Sequence, residues 1–274
     1  EWPKNLTSNE SNSGRNVLKL YISPLKTKIV LWIQKIIGWW PKGDNSWIPN
    51  RLCAKAIPAC IIMYKPKSSE SLWRIAFLDL TNFEDLEASL SDVLVNHKDL
   101  NTIIFNAGIY IPDSYESFSF KNAKQSFDIN VLSVYFAIEV LRKNIQLGHN
   151  HTLAIVSSVA GYRGLPKSIL YGPTKAALIN LCESLKVDLP KEVNIKLINP
   201  GFVKTPATSI NNFKMPFLIT AEKAATIIFT RIYKKGFEIS FPFPFNFMMK
   251  FGSILPYKVY FKITEYISRN EQKN

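Results

Sequence analysis

The sequence predicts a doubly wound α/β domain in which a mostly parallel sheet carries helices on both faces. From Arg74 onward, short and nearly continuous apolar segments alternate with segments of helical spacing. Strands of that kind are buried on both sides, as in a parallel sheet covered by helices. The polar and glycine-bearing positions fall at the carboxyl ends of these strands, where such sheets form their ligand crevice. A chain of 274 residues, 47% of them apolar, is enough for one sizeable core and is read as a single domain.

Arg74 to Leu80 reads as the first of these strands, followed by a helix over Phe83 to His97 with Leu86, Leu90, Val93 and Leu94 on its apolar face. Leu100 to Phe105 is the next strand and closes on Asn106-Ala107-Gly108. A long helix is predicted from Lys121 to Asn144 on the stripe Phe127, Val131, Val134, Tyr135, Ile138 and Leu141. His151 to Ser157 is a strand, Pro173 to Leu189 a helix with Pro173 at its first position, and Val193 to Ile198 a strand ending at Asn199-Pro200-Gly201. A last helix is expected over Ala221 to Lys234, followed by a Phe-rich tail from residue 235 to the end.

The first 73 residues differ in character, holding all six Trp and two of the three Cys. They begin on Glu1, as a fragment or a processed chain would, and a shifted reading frame or a fused foreign start is one reading of the change. Thr27 to Trp40 reads as a buried strand and helix, with an interfacial amphipathic segment as the alternative. Cys53, Cys60 and Cys182 lack CxxC spacing, and His97, His149 and His151 form no ligand pattern, so neither a disulfide framework nor a metal site is indicated. No apolar run reaches the roughly 18 residues of a membrane span. The net charge of +13 comes from Lys and Arg scattered among acids, which argues against a nucleic-acid partner. A cytoplasmic location is expected, with peripheral membrane contact through the Phe-rich tail as a further possibility.

The sharpest chemical signal is Ser158, Tyr171 and Lys175. Tyr and Lys four apart at a helix start share one face, and the serine closes the preceding strand. A phenol with an ordinary pKa of about 10 is a poor acid or base at neutral pH. A neighbouring ammonium would lower it toward the range of proton transfer to a carbonyl oxygen, which the serine hydroxyl would hold.

These residues resemble the short-chain dehydrogenase/reductase family. The match runs from about Arg74 to the carboxyl end: Ser157-Ser158-Val159-Ala160-Gly161, then Tyr171-Gly172-Pro173-Thr174-Lys175 thirteen residues after the serine. The resemblance implies a Rossmann-like fold and a nicotinamide-dependent oxidoreductase that interconverts a carbonyl and an alcohol on a small, apolar substrate. It implies that Asn130 completes a catalytic set with Ser158, Tyr171 and Lys175 by supporting a water relay. Asp79 would lie near the adenine, Asn106-Ala107-Gly108 beside the cofactor, and Pro200, Gly201, Val203 and Thr205 against the nicotinamide. Tyr171 and Lys175 would also touch the cofactor. Residues 205–218 would form the substrate lid, and the helices over Lys121–Asn144 and Pro173–Leu189 would pair in a homodimer or homotetramer.

The resemblance breaks at the amino end, where the family carries a glycine-rich phosphate loop. The best register places Thr7 to Gly14 there, with Gly14 the sole surviving glycine, Arg15 after it, helical positions at Val17, Leu18 and Tyr21, and a second strand over Lys28 to Ile33. Ser8, Glu10 and Asn12 put side chains and a negative charge where the backbone should approach two phosphates. Arg15, Gln34 and Lys35 without an acid nearby favour NADP over NAD. A catalytically impaired relative that serves as a binding or assembly module is the competing expectation.

Overall fold

The computed structural model describes residues 19–21, 59–65, 72–78, 80, 82–96, 100–148, 151–205, 208 and 215–271. The segments 7–15 and 28–40, and Asp79, lie outside the described residues, as does most of the lid from 206 to 214.

Seven strands form one sheet: β1 (Lys19–Tyr21), β2 (Ala59–Lys65), β3 (Leu72–Leu78), β4 (Thr102–Phe105), β5 (Thr152–Val156), β6 (Asn194–Pro200) and β9 (Glu238–Phe241), in the order β1-β3-β2-β4-β5-β6-β9. β4, β5, β6 and β9 are mutually parallel. β2 runs antiparallel to both β3 and β4, so β3 shares the direction of β4, and β1 opposes β3. The sheet is therefore mostly parallel, as predicted, with two reversed strands. A small second ladder joins β7 (Val203–Lys204) to β8 (Ile219–Thr220).

Alternation along the strands explains the helices on both faces. Ile103 and Phe105 of β4, Leu153 and Ile155 of β5, and Ile195 and Leu197 of β6 point into one buried cluster. That cluster is covered by α1 (Phe83–Asn96), α3 (Ser133–Asn144) and α4 (Tyr171–Asp188). Ile104, Ala154, Ile198, Ile239 and Phe241 point the other way, onto Ala221, Ala224, Ala225 and Ile228 of α5 (Ala221–Arg231). Lys196, on that second face, is 1% exposed and is satisfied by the carbonyls of Lys234 and Gly236.

Several elements depart from the sequence reading. Lys19–Tyr21, expected on a helix, is the edge strand β1, and the strand at Ala59–Lys65 falls where the sequence reading assigned no element. The long helix is divided: α2 (Phe120–Phe127) passes through a π turn at Asp128–Leu132 into α3. Helix α4 starts at Tyr171, so Pro173 is its third residue, still in the turn whose N–H groups lack helical acceptors. Strand β9 and the helices α6 (Phe245–Ile254) and α7 (Tyr257–Glu271) fall in what the sequence showed only as a Phe-rich tail.

Candidate active site

The strands β4, β5 and β6 all end at one edge, and Asn106-Ala107-Gly108, Ser157-Ser158 and Pro200-Gly201 follow those ends directly. Helix α4 is fastened to this edge at its first turns. Ser157 Oγ donates to the Lys175 carbonyl at 2.7 Å, and Lys175 Nζ donates to the Val156 carbonyl at 3.1 Å. Leu170 N donates to Asp113 Oδ2 at 2.8 Å and Gly172 N to Ser168 Oγ at 3.0 Å, so side chains from preceding loops take up the free donors of the helix start.

Ser158, Tyr171, Lys175 and Asn130 are brought together as the sequence predicted. The Ser158 hydroxyl lies near enough to the Tyr171 phenol to favour its ionisation; its own bonds run to the Pro200 carbonyl, to which it donates at 3.4 Å, and from Ala160 N, from which it accepts at 3.2 Å. The Lys175 amine lies 5.5 Å from the centre of the Tyr171 ring and is 4% exposed. Gly108 borders the same space: a Cβ there would stand 3.3 Å from Asn130 Oδ1 and 3.4 Å from Lys175 Nζ.

Asn130, fully buried, sits in the π turn, an insertion that re-aims side chains and recurs at functional sites. Its amide makes a two-point contact with Ile109, accepting from N at 2.7 Å and donating to O at 3.0 Å, and also donates to Thr174 Oγ1 at 3.0 Å. In this arrangement Asn130 ties the turn after β4 to the first turn of α4.

The electrostatics differ from the expectation. Burial pushes the Tyr171 phenol up to about 12, partly opposed by the nearby Ser158 hydroxyl and reinforced by Tyr110, whose ring meets it edge-on at 5.3 Å. The residue keeps partial exposure, yet loss of hydration around the phenol is the largest influence, and no lowering by Lys175 is seen. Burial also pulls the Lys175 amine down to about 8.

This second shift has a stability consequence. Between about 8 and about 10.4 the unfolded chain holds a proton on Lys175 that the folded chain has released, so stability rises with pH there. Tyr171 acts in the opposite sense, lowering stability between about 10 and 12. Denaturant unfolding of wild type against Lys175→Met is expected to show about 2 kcal/mol of extra gain for wild type between about pH 8 and 10.

The sequence reading missed a second cluster behind Ser158. Arg163 donates to the carbonyls of Gly252, Ser253 and Leu255 at 3.1, 3.0 and 2.6 Å, and its guanidinium lies over the rings of Tyr257 at 4.6 Å and Tyr260 at 4.2 Å. Tyr260 Oη returns a bond to the Gly164 carbonyl at 2.5 Å. Beside it, Glu238 accepts from Tyr162 and Lys250, and from Asn199 Nδ2 at 2.8 Å. Burial alone would push that carboxyl up, but these donors hold it below its ordinary value. The loop between Ser158 and Tyr171 is thus clamped to α6 and α7. Arg163→Ala is expected to cost about 3 kcal/mol and to expose α6 and α7 to limited proteolysis. No local sequence signal marks Arg163, because its partners lie about ninety residues away.

Gly14, Arg15 and Asp79 lie outside the described residues. Val203 is buried in β7, and Thr205 N donates to Thr208 Oγ1 at 2.9 Å, closing a turn at the start of the lid.

A doubly wound sheet with this Ser, Tyr and Lys cluster at its carboxyl edge defines a Rossmann-like protein. The chain belongs to the short chain dehydrogenase family, whose sequence pattern matches residues 62–214. An uncharacterized oxidoreductase of Myxococcus xanthus is 32% identical over 159 residues, 57% of this chain and 62% of that protein. The 11-beta-hydroxysteroid dehydrogenase-like 3 of Arabidopsis thaliana is 30% identical over 164 residues, 56% of this chain and 52% of that protein. The chain therefore spans between half and two thirds of the length of these relatives. Among solved structures, ElxO with NADP bound aligns with a TM-score of 0.51 at 24% identity, over 60% of this chain and 75% of that one. A short-chain dehydrogenase from Streptomyces avermitilis aligns with a TM-score of 0.57 at 18% identity, over 71% and 80%. One from Burkholderia phymatum in complex with NAD aligns at 0.51 and 22%, over 59% and 68%.

Proposed function

We propose that the chain is a nicotinamide-dependent oxidoreductase interconverting a carbonyl and an alcohol on a small, apolar substrate. The observation that carries this is the Lys175 amine 5.5 Å from the centre of the Tyr171 ring, with the Ser158 hydroxyl near the phenol, at the carboxyl edge of the sheet. Tyr171, protonated at neutral pH, gives its proton to the carbonyl oxygen, which Ser158 holds as charge develops. Lys175 spends one donor on Val156 and directs the rest into the space that the bare Gly108 leaves open. That space suits the ribose hydroxyls of a nicotinamide, with Asn106 and Ala107 after β4 and Pro200 and Gly201 at the end of β6 as the further cofactor contacts of this reading. A bound nicotinamide supplies or accepts the hydride.

NADP is the favoured cofactor on the charges of Arg15 and Lys35, with NAD the alternative. Exposed Phe127, Leu132 and Tyr135 on α2–α3 and Val187 on α4 support pairing with a second copy of the chain, in a homodimer or homotetramer. A cytoplasmic protein carrying residues 1–274 as one domain is consistent with this reading. Following the near-ultraviolet absorbance of reduced nicotinamide across a panel of ketones and secondary alcohols tests it: cofactor-dependent turnover supports the proposal, and none with any member of the panel counts against it.

A second reading has its own observation. At the place between β3 and β4, β2 runs backwards, so that Ala59 starts at the site edge, two residues before Ile61 pairs with Phe105. In dinucleotide sites the strand at that place ends at this edge and feeds a helix whose first amides receive the pyrophosphate. The reversal favours a family member in which the fold serves binding or assembly. Such a protein would keep the Ser158–Tyr171–Lys175 cluster and fail to bind the dinucleotide.

A further inference from the structure

Helices α6 and α7 invert the usual surface pattern. Phe247, Met248, Phe251 and Ile254, at i, i+1, i+4 and i+7 along α6, are 63, 57, 54 and 75% exposed. On α7, Tyr260 is buried while Val259, Ile263 and Tyr266, at i, i+4 and i+7, are open to solvent. A helix apolar on its outer face as well as its inner one belongs in a core or against lipid.

The charges say which partner fits. Lys258 and Lys262, at i and i+4, form a strip alongside the exposed apolar arc of α7 that continues to Arg269, there paired with Glu265 at 4.0 Å, and Lys250 holds the matching place on α6. Lys250 reaches Glu238, which also lines a cavity of about 260 Å³ shared with Lys196, Arg231, Lys234 and Lys235. Cations beside an apolar arc on both helices complement an anionic, apolar-backed surface; pairing two copies through these helices would bring like charges together.

We infer that α6 and α7 dock the protein on the surface of an anionic lipid bilayer. The inner side of α6 reaches the lid: its buried first residue, Phe245, stacks on Phe202 at 5.3 Å and on Phe217 of the lid at 6.1 Å. Arg163 ties the far end of α6 to the loop that carries Ser158. Docking would thus hold the lid near the bilayer that dissolves an apolar substrate, a consequence that rests on the oxidoreductase reading, whereas the docking itself does not.

The full chain should co-sediment with vesicles of phosphatidylcholine and phosphatidylglycerol, bind phosphatidylcholine vesicles far less, and release as salt rises. Phe251→Glu with Ile263→Glu, and separately Lys258→Glu with Lys262→Glu, should each lower partitioning about tenfold or more. Circular dichroism and thermal melting would check that the variants are folded. Failure of the folded wild type to bind anionic vesicles at low salt would overturn the inference. So would a dimer lost in the Phe251→Glu, Ile263→Glu variant without any lipid binding by wild type, since a second copy would then cover the face. Vesicle binding is read without cofactor or substrate, so it stands or falls apart from the catalytic proposal.

Discussion

Tyr171→Phe is expected to lower cofactor-dependent turnover about a thousandfold while leaving the fold in place. The substitution removes one oxygen: the ring, its edge-on contact with Tyr110 and its place at the start of α4 all remain. What is lost is the acid whose proton the burial of the site retains up to about pH 12. Because that phenol is buried, its deletion should raise thermal stability slightly or leave it unchanged. Steady-state rates at saturating cofactor, measured beside the melting temperature, check both parts. A loss below about tenfold would show that Tyr171 is not the proton donor.

Gly161→Ala should have the largest effect on stability, about 3 kcal/mol, and should disable the site with it. A Cβ on residue 161 would stand 2.6 Å from the Lys175 carbonyl carbon and 2.8 Å from Ala176 N. Both are backbone atoms of α4, so relief requires moving the helix that carries Tyr171 and Lys175 rather than turning a side chain. Gly161 permits the short turn Val159–Gly161 to lie directly on that helix. Urea unfolding of the variant measures the cost, and a change under about 1 kcal/mol would mean that α4 is free to shift.

The strand–helix alternation from β4 to α5 was legible because each strand is buried on both faces and each helix carries one apolar stripe, patterns fixed by local periodicity. The Ser158, Tyr171 and Lys175 cluster was legible for a related reason: all three lie at element ends, where the chain itself sets their mutual position. The reversal of β2 was not, since an apolar strand reads the same in either direction and only its neighbours decide the pairing. Strand β9 was hidden in Phe237 to Phe245, where apolar residues crowd out any alternation. The pKa of Tyr171 was misjudged because sequence spacing shows the cation but not the loss of water around the phenol. Arg163 escaped notice because its worth comes from carbonyls and rings on the distant helices α6 and α7.

The most direct test is a titration of the folded full chain with reduced nicotinamide dinucleotides, followed by their fluorescence. The oxidoreductase account predicts saturable binding of NADPH or NADH, weakened by Lys175→Met and little changed by Tyr171→Phe. No saturable binding of either up to millimolar concentration would contradict it, and would mean that the reversed strand beside β4 has cost the family fold its cofactor.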